Sequence, residues 1–350
     1  MRKLLVTGGC GFIGSHTCCI LLKSGYELVV LDSNINSTEK PLKRLKDFKD
    51  LKNVDFKSKL ELVSGDIRDA NILKNIFKKS LMKGEPIEGV IHFAGLKSVS
   101  ESIEKEIEYW DVNLGGSLSL LKVMEEYNCK TIVFSSSASI YSSNNKQPLN
   151  EKSLISPNSI YGMTKLAVEN ILISLTKRKN SIWRIANLRY FNPIGAHPSG
   201  MIGEDPTIKY GNLFPEIIEV ASGSKKNLFV FGDDWPTKDG TGIRDYIHVL
   251  DLAEGHKAAI EYLFNNHPQV ININLGTGKG TSVLDLIKTF EKVNRKIIPY
   301  VFNKRRSGDI PISIADNKLA LEILNWKPKR NLVDMCKDAW KWKINNLNGF

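Results

Sequence analysis

The sequence of 350 residues predicts an α/β protein, a Rossmann-type doubly wound parallel sheet with a smaller mixed α/β C-terminal domain for substrate. Three observations predict it. Short apolar runs alternate with helix-compatible stretches through the first half of the chain, and the first of these runs opens into a glycine turn and a helix. Beyond Tyr190 the alternation is lost, elements shorten, and Pro and Gly become frequent through Ile194 to Asn212. The expected division is residues 1–189 for a dinucleotide-binding domain, with 240–272 a candidate to pack back on it, and 190–350 for a substrate domain.

Taken in order, Lys3 to Thr7 is the first strand, and Gly8-Gly9-Cys10-Gly11-Phe12-Ile13-Gly14 leads into a helix ending near Ser24-Gly25. Gly8, Gly11 and Gly14 permit a tight turn, close approach of backbone to a pyrophosphate, and close packing of helix on strand, while helix amides receive the negative charge. The second strand, Leu28 to Leu31, ends in Asp32, eighteen positions after Gly14. A carboxylate there accepts hydrogen bonds from both adenosine ribose hydroxyls and repels a 2′-phosphate, so NAD is expected rather than NADP. Residues 34–59 are polar and lysine-rich and read as a surface excursion with short helical pieces and no strong core signal.

Leu60 to Val63 is the next strand, leading to Asp66, which is placed to bond an adenine amino group. Gly89 to Phe93 follows, then Ala94-Gly95-Leu96-Lys97, small residues that suit a passing dinucleotide and a lysine within reach of its phosphates. His92, inside this apolar strand, reads as a hydrogen-bonded core histidine. Glu101 to Glu126 and Ser159 to Thr176 read as long helices on either side of a strand running from Thr131 into Ser135-Ser136-Ser137. Asn113, in the first helix, is either a polar core residue or a side chain facing the cofactor. Tyr161 and Lys165 are four apart, which puts both on one helix face, so an ammonium beside a phenol favours its ionised form and makes a base of tyrosine. Such a pair arises about once by chance in a chain of this composition, so its surroundings decide its meaning. Trp183 to Tyr190 is the sixth strand. In the second half, Arg244 and Arg306, with Asp309 close behind, have the character of a diphosphate clamp.

Composition is that of an ordinary globular enzyme, and the net charge of +11 comes mostly from scattered lysines, read as a solvated surface rather than a nucleic-acid interface. Cys10, Cys18, Cys19, Cys129 and Cys336 show neither a disulfide framework nor a metal-binding spacing, so reduced thiols and no metal are expected. The chain opens directly into a strand and has no long uncharged apolar run, which points to a cytoplasmic protein with no membrane partner.

The runs Thr7 to His16, His92 to Lys97, Phe134 to Ala138, Tyr161 to Lys165, Leu188 to Pro193, Ala196 to Gly200 and Gly240 to His248 together resemble the UDP-glucose 4-epimerase family of extended short-chain dehydrogenases/reductases. The glycine turn and the Tyr-Lys pair belong to the whole superfamily; Phe93 to Lys97, Ala196 to Gly200 and Arg244 to His248 are the specific runs. The resemblance implies reversible C4 epimerisation of UDP-glucose and UDP-galactose through a 4-keto sugar, with tightly held NAD, in galactose metabolism, by a homodimer joined through the two long helices. It implies Tyr161 as base, Lys165 as its activator and Ser137 as proton relay. Around NAD it places Gly8, Gly11, Phe12, Ile13, Gly14, Asp32, Asn34, Asn36, Ser37, Asp66 and Ile67, then Phe93, Ala94, Gly95, Lys97, Asn113, Ser135, Tyr161, Lys165 and Tyr190. Around the UDP-sugar it places Lys97, Ser137, Tyr161, Phe191, Asn192, Asn212 and Leu213, then Phe229, Val230 and Phe231 at the uracil, with Arg244, Arg306, Asp309 and Ser313.

Two departures from the family pattern stand out. Ile140-Tyr141-Ser142 replaces the usual Val-Tyr-Gly, a tolerable change, and Ser313 stands where some epimerases carry a tyrosine against the C2 side of the sugar. A serine leaves room for a 2-acetamido group, so UDP-GlcNAc and UDP-GalNAc are expected substrates too. Related dehydratases need an acid pair beside the active-site hydroxyl, whereas Ala138-Ser139 follows Ser137 here; decarboxylases and glucuronate epimerases need a cation for the C6 carboxylate, and none is evident. A catalytically dead NAD-sensing or nucleic-acid-binding relative would usually lack Tyr161 or Lys165, and both are present.

Overall fold

In a computed structural model describing residues 2–205, 211–306 and 308–350, the chain builds its central sheet from strands of both halves. The strands are β1 (Lys3–Thr7), β2 (Glu27–Asp32), β3 (Leu60–Ser64), β4 (Ile87–His92), β5 (Thr131–Ser137), β6 (Arg184–Tyr190), β7 (Asn192–Ile194), β8 (Leu228–Phe231), β9 (Ile243–His248), β10 (Gln269–Leu275), β11 (Gly280–Ser282), β12 (Tyr300–Asn303) and β13 (Ile312–Ser313). Seven of them form one parallel sheet in the order β10-β6-β5-β4-β1-β2-β3. The order reverses between β1 and β4, and an open parallel sheet leaves a ligand crevice at the carboxyl ends of its strands at such a point.

Strand alternation divides the core into two layers. Leu4 and Val6 of β1 and Leu28 and Val30 of β2 pack with helices Phe12–Lys23 and Val249–Asn265. Leu5, Val29 and Leu31 face the other way, toward helices Ala70–Met82, Gly116–Glu126 and Ile160–Thr176. The remaining strands form the smaller region, where β9 pairs with β7, β11 and β13, and β8 pairs with β12. Its core gathers Phe214, Ile217, Leu286, Phe290 and Met335.

Two segments differ from the sequence reading. Residues 34–59 are not all surface: Leu42, Leu45, Phe48 and Leu51 are buried in the core. They recur every third residue through short helical and 3₁₀ turns, where positions three apart stack, and the lysines between them mask that period. The expected helix from Glu101 to Glu126 is broken at Lys105 and carries a π-helical stretch over Trp110–Gly115 before Gly116–Glu126. The π turn sits where Asn113 points inward, a common use of that geometry near functional sites. No helix among the described residues is long and apolar enough to cross a membrane, and all five cysteines are buried and free.

Candidate active site

A cleft of about 1160 Å³ runs across the carboxyl edge of the sheet, with walls from the glycine turn, the ends of β2, β4, β5 and β6, and the smaller region. One end is shaped for a dinucleotide. Gly8 has φ of +69°, and a Cβ there would lie 2.6 Å from the Ala94 amide nitrogen; a Cβ on Gly14 would lie 2.4 Å from the Gly8 carbonyl oxygen. A Cβ on Gly11, the N-cap, would meet only the Gly8 oxygen at 3.4 Å, and no side chain caps the helix amides behind it. These amides and the absence of acidic residues from the first turn suit a pyrophosphate. Asp32 is held by the Cys10 amide at 2.9 Å, the Asn34 amide at 3.0 Å and the Ser37 hydroxyl at 2.7 Å, so its carboxylate is fixed at the cleft edge beside Asn36. These residues fit the NAD expected from the sequence.

Of the other expected cofactor residues, Phe93, Ala94, Gly95, Lys97, Ser135 and Tyr190 also line the cleft, whereas Asn34 and Asn113 are not among its lining residues. Asp66 and Ile67 line the cleft, but Asp66 is engaged by Arg68 through Nε at 2.9 Å and Nη2 at 2.6 Å. Asn113 is a buried polar link: its amide group donates to the Leu96 carbonyl at 3.1 Å and the Thr164 hydroxyl at 3.0 Å and accepts from the Leu96 amide at 2.7 Å. A Cβ on Gly95 would press on it at 2.9 Å. Lys97 pairs with Glu204 at 3.3 Å. His92 is satisfied by Thr7 at 2.7 Å and Ser117 at 2.9 Å, and burial pushes it down to about 3, so it is a neutral core histidine. The Phe93 ring packs on His256 at 4.7 Å, and the Tyr190 hydroxyl contacts the His256 Nε2.

The reacting groups meet where β5 ends beside helix Ile160–Thr176. Ser159 caps that helix by accepting from the Gly162 amide at 3.1 Å, which sets its first turn and Tyr161 on the cleft wall. Lys165 is only 5% exposed, donates to the Ser135 carbonyl at 2.8 Å, and lies 5.8 Å from the centre of the Tyr161 ring. Burial pushes Lys165 down to about 8 and Tyr161 up to about 12, while a hydrogen bond from Ser137 acts to lower Tyr161. In the protein itself burial, not the neighbouring ammonium, dominates the phenol. The Ser137 hydroxyl also bonds the Ser139 hydroxyl at 2.7 Å.

The opposite wall carries Arg244 and Arg306, the two arginines expected to form a clamp. Arg244 on β9 stands 4.0 Å from Asp309 and is paired in register with Ser313 of β13, itself 9% exposed and facing the cleft. Arg306 lies over the Phe231 ring at 3.8 Å and donates to the Gly211 carbonyl at 3.1 Å, next to Asn212. Phe229 and Phe231 share one side of β8, and Val230 points into the core; Phe191, Asn192 and Leu213 complete this end. Trp235, stacked under Arg305 at 4.0 Å, and Tyr141 also line the cleft; sequence reasoning passed over Trp235 and gave Tyr141, in Ile140-Tyr141-Ser142, no site role. Only the tertiary fold brings them there, although Trp235 stands in a Gly/Asp-rich loop between β8 and β9, where binding residues gather.

Comparison with known proteins adds four similarities. A family model described as GDP-mannose 4,6 dehydratase matches residues 5–339. A UDP-glucose 4-epimerase of Bacillus subtilis (strain 168) is 48% identical over 349 residues, covering 99% of this chain and 98% of that protein. Among solved structures, the UDP-glucose 4-epimerase of Bifidobacterium longum in complex with NAD+ and UDP superposes with a TM-score of 0.92 at 42% identity, covering 100% of both chains. The UDP-Glc/GlcNAc 4-epimerase of Campylobacter jejuni gives a TM-score of 0.82 at 30% identity, covering 99% of this chain and 100% of that one.

Proposed function

The chain belongs to the UDP-glucose 4-epimerases of the extended short-chain dehydrogenase/reductase family, and from that premise we propose that its cleft interconverts UDP-glucose and UDP-galactose through a 4-keto sugar. The observation that carries this reading is one cleft joining a dinucleotide turn at Gly8 to Gly14, the Tyr161–Lys165–Ser137 group and an arginine-lined far wall. NAD, when bound, supplies the acceptor to which the C4 hydride goes and from which it returns, so net redox change is zero.

Tyr161 takes the proton of the 4-hydroxyl and gives it back on the other face of the sugar. A half-buried phenol near 12 is almost wholly protonated at neutral pH; the Ser137 hydrogen bond acts toward its ionised form, and for it to serve as base the Lys165 charge must favour that form too. Ser137 bonds the same sugar hydroxyl and relays the proton. Arg244 and Arg306 hold the diphosphate, with Asn192 and Asn212 beside them and Phe229 to Phe231 at the uracil; the sugar, anchored only through its nucleotide, turns over between the two transfers. Elimination of water is disfavoured, because Ala138 and Ser139 follow Ser137 and offer no acid pair.

We extend the reading to 2-acetamido sugars, because Ser313 presents a small side chain to the cleft. A homodimer through the segment 101–126 and helix 160–176 fits the exposure of Ile107, Leu118 and Met163 on them. Five free thiols suit a reducing cytoplasm. The decisive experiment incubates the purified protein with UDP-galactose, without added NAD, and assays UDP-glucose; turnover is expected, and its absence even with NAD supplied would sink the assignment. In the same assay UDP-GalNAc is converted, and Tyr161→Phe lowers kcat by roughly 10³-fold while UDP still binds.

A further inference from the structure

Behind the proton-handling group runs a buried polar path with no part in the chemistry described so far. Ser136 donates its hydroxyl to Glu169, which stands one helical turn beyond Lys165. Arg189, directly across from Ser136 on β6, donates to the Glu169 carboxylate oxygens at 3.1 and 2.8 Å, and both side chains are almost wholly buried. Arg189 Nη1 also donates to the Tyr141 hydroxyl at 3.0 Å, and that hydroxyl donates to Asn274 Oδ1 at 2.7 Å. Asn274 Nδ2 donates to the Leu149 carbonyl at 2.9 Å; the Leu149 amide donates to the Ile314 carbonyl at 2.8 Å, and the Asp316 amide to the Leu149 carbonyl at 2.7 Å. Ile314 follows Ser313. The path therefore starts at the helix of Tyr161 and ends at the sugar-facing wall of the smaller region.

A buried ion pair alone is a weak source of stability, since desolvation offsets its attraction. What a fully satisfied buried network does supply is rigidity and a single arrangement of the elements it joins. Epimerisation needs that rigidity. Tyr161 must meet the 4-hydroxyl in both sugar orientations, yet base and sugar wall lie on different parts of the fold. We propose that Glu169, Arg189, Tyr141 and Asn274 are positioning residues for epimerisation, a rigid link that keeps the wall at Ser313 in register with Tyr161 and Lys165. The proposal rests on the epimerase reading.

The test uses Tyr141→Phe, Asn274→Ala and their combination, purified with retained cofactor beside the wild type, with kcat for UDP-galactose, Kd for UDP by calorimetry and Tm measured for each. Each single substitution is expected to lower kcat about tenfold, because sub-ångström misplacement of reacting groups is enough for such a loss, with UDP affinity held within about twofold. The combined variant is no slower than the slower single one, because both cut the same path. Tyr141→Phe removes one oxygen and keeps the ring, so it decides the matter if Asn274→Ala does not fold. Wild-type kcat in Tyr141→Phe, equal loss of kcat and UDP affinity, or losses that multiply in the combined variant overturn the link. A wild type that leaves UDP-galactose unchanged overturns the epimerase reading and the link with it; an active wild type with unaffected variants overturns the link alone.

Discussion

Lys165 is buried in a way that opposes its charged form, and this sets a pH dependence of stability. Lys165 falls from its ordinary 10.5 to about 8, so between those values the unfolded chain holds the proton more tightly and stability rises with pH. Below about pH 8 the unfavourable contribution is fully present. Lys165→Met is therefore expected to raise Tm near pH 7 by a few degrees, net of the lost bond to Ser135, with the gain shrinking toward pH 10 and epimerase turnover lost. Calorimetry across that pH range checks it. Ser313→Tyr is expected to stop conversion of UDP-GalNAc while leaving that of UDP-galactose within about threefold, read by competing the two substrates. At this scale the sequence was legible wherever chemistry follows from spacing: the Tyr-Lys pair, the three glycines, the aspartate ending β2. Glu169, Arg189, Tyr141 and Asn274 left no such trace, because they lie on four separate stretches that only tertiary folding joins.

Among elements, the glycine turn separates two duties that the motif presents together. Gly14 is needed for packing, since a Cβ would strike the Gly8 carbonyl oxygen at 2.4 Å, whereas Gly11 has room at 3.4 Å and faces the dinucleotide end of the cleft. Gly14→Ala is expected to lower Tm clearly, and Gly11→Ala to release NAD during gel filtration, seen in the absorbance of the eluted protein, with a Tm near that of NAD-free wild type. The strands of the sheet were readable from their apolar runs, as was the helix after the glycine turn. The segment 34–59 was not, because its buried residues follow a three-residue period between lysines, and the π turn at Trp110–Gly115 was not, because nothing in local propensity distinguishes it from an α-helix.

For the whole molecule, the apolar positions on segment 101–126 and helix 160–176 give the proposed dimer a direct test. Ile107→Glu, at a residue 79% exposed, should convert the elution profile from dimer to monomer without loss of helical signal. The two-part organisation was visible in the change of pattern beyond Tyr190. The candidate packing of 240–272 back on the first half pointed to helix Val249–Asn265 and β10, but not to the place of β10 beside β6, since strand order depends on which edges meet in space.

The position of β10 also bears on how the protein is made. Synthesis proceeds from the N-terminus, so for the time needed to add residues 191 to 275 the nascent chain holds β6 with an open edge and one face of the sheet without helix Val249–Asn265. Release before residue 275 would leave a sticky, unfinished sheet, and a fragment ending at residue 200 is expected to accumulate as inclusion bodies while the full chain stays in solution. Because the last sheet strand arrives so late, the parallel sheet is completed only after part of the smaller region has been made, and a cell that stalls translation before residue 275 obtains neither.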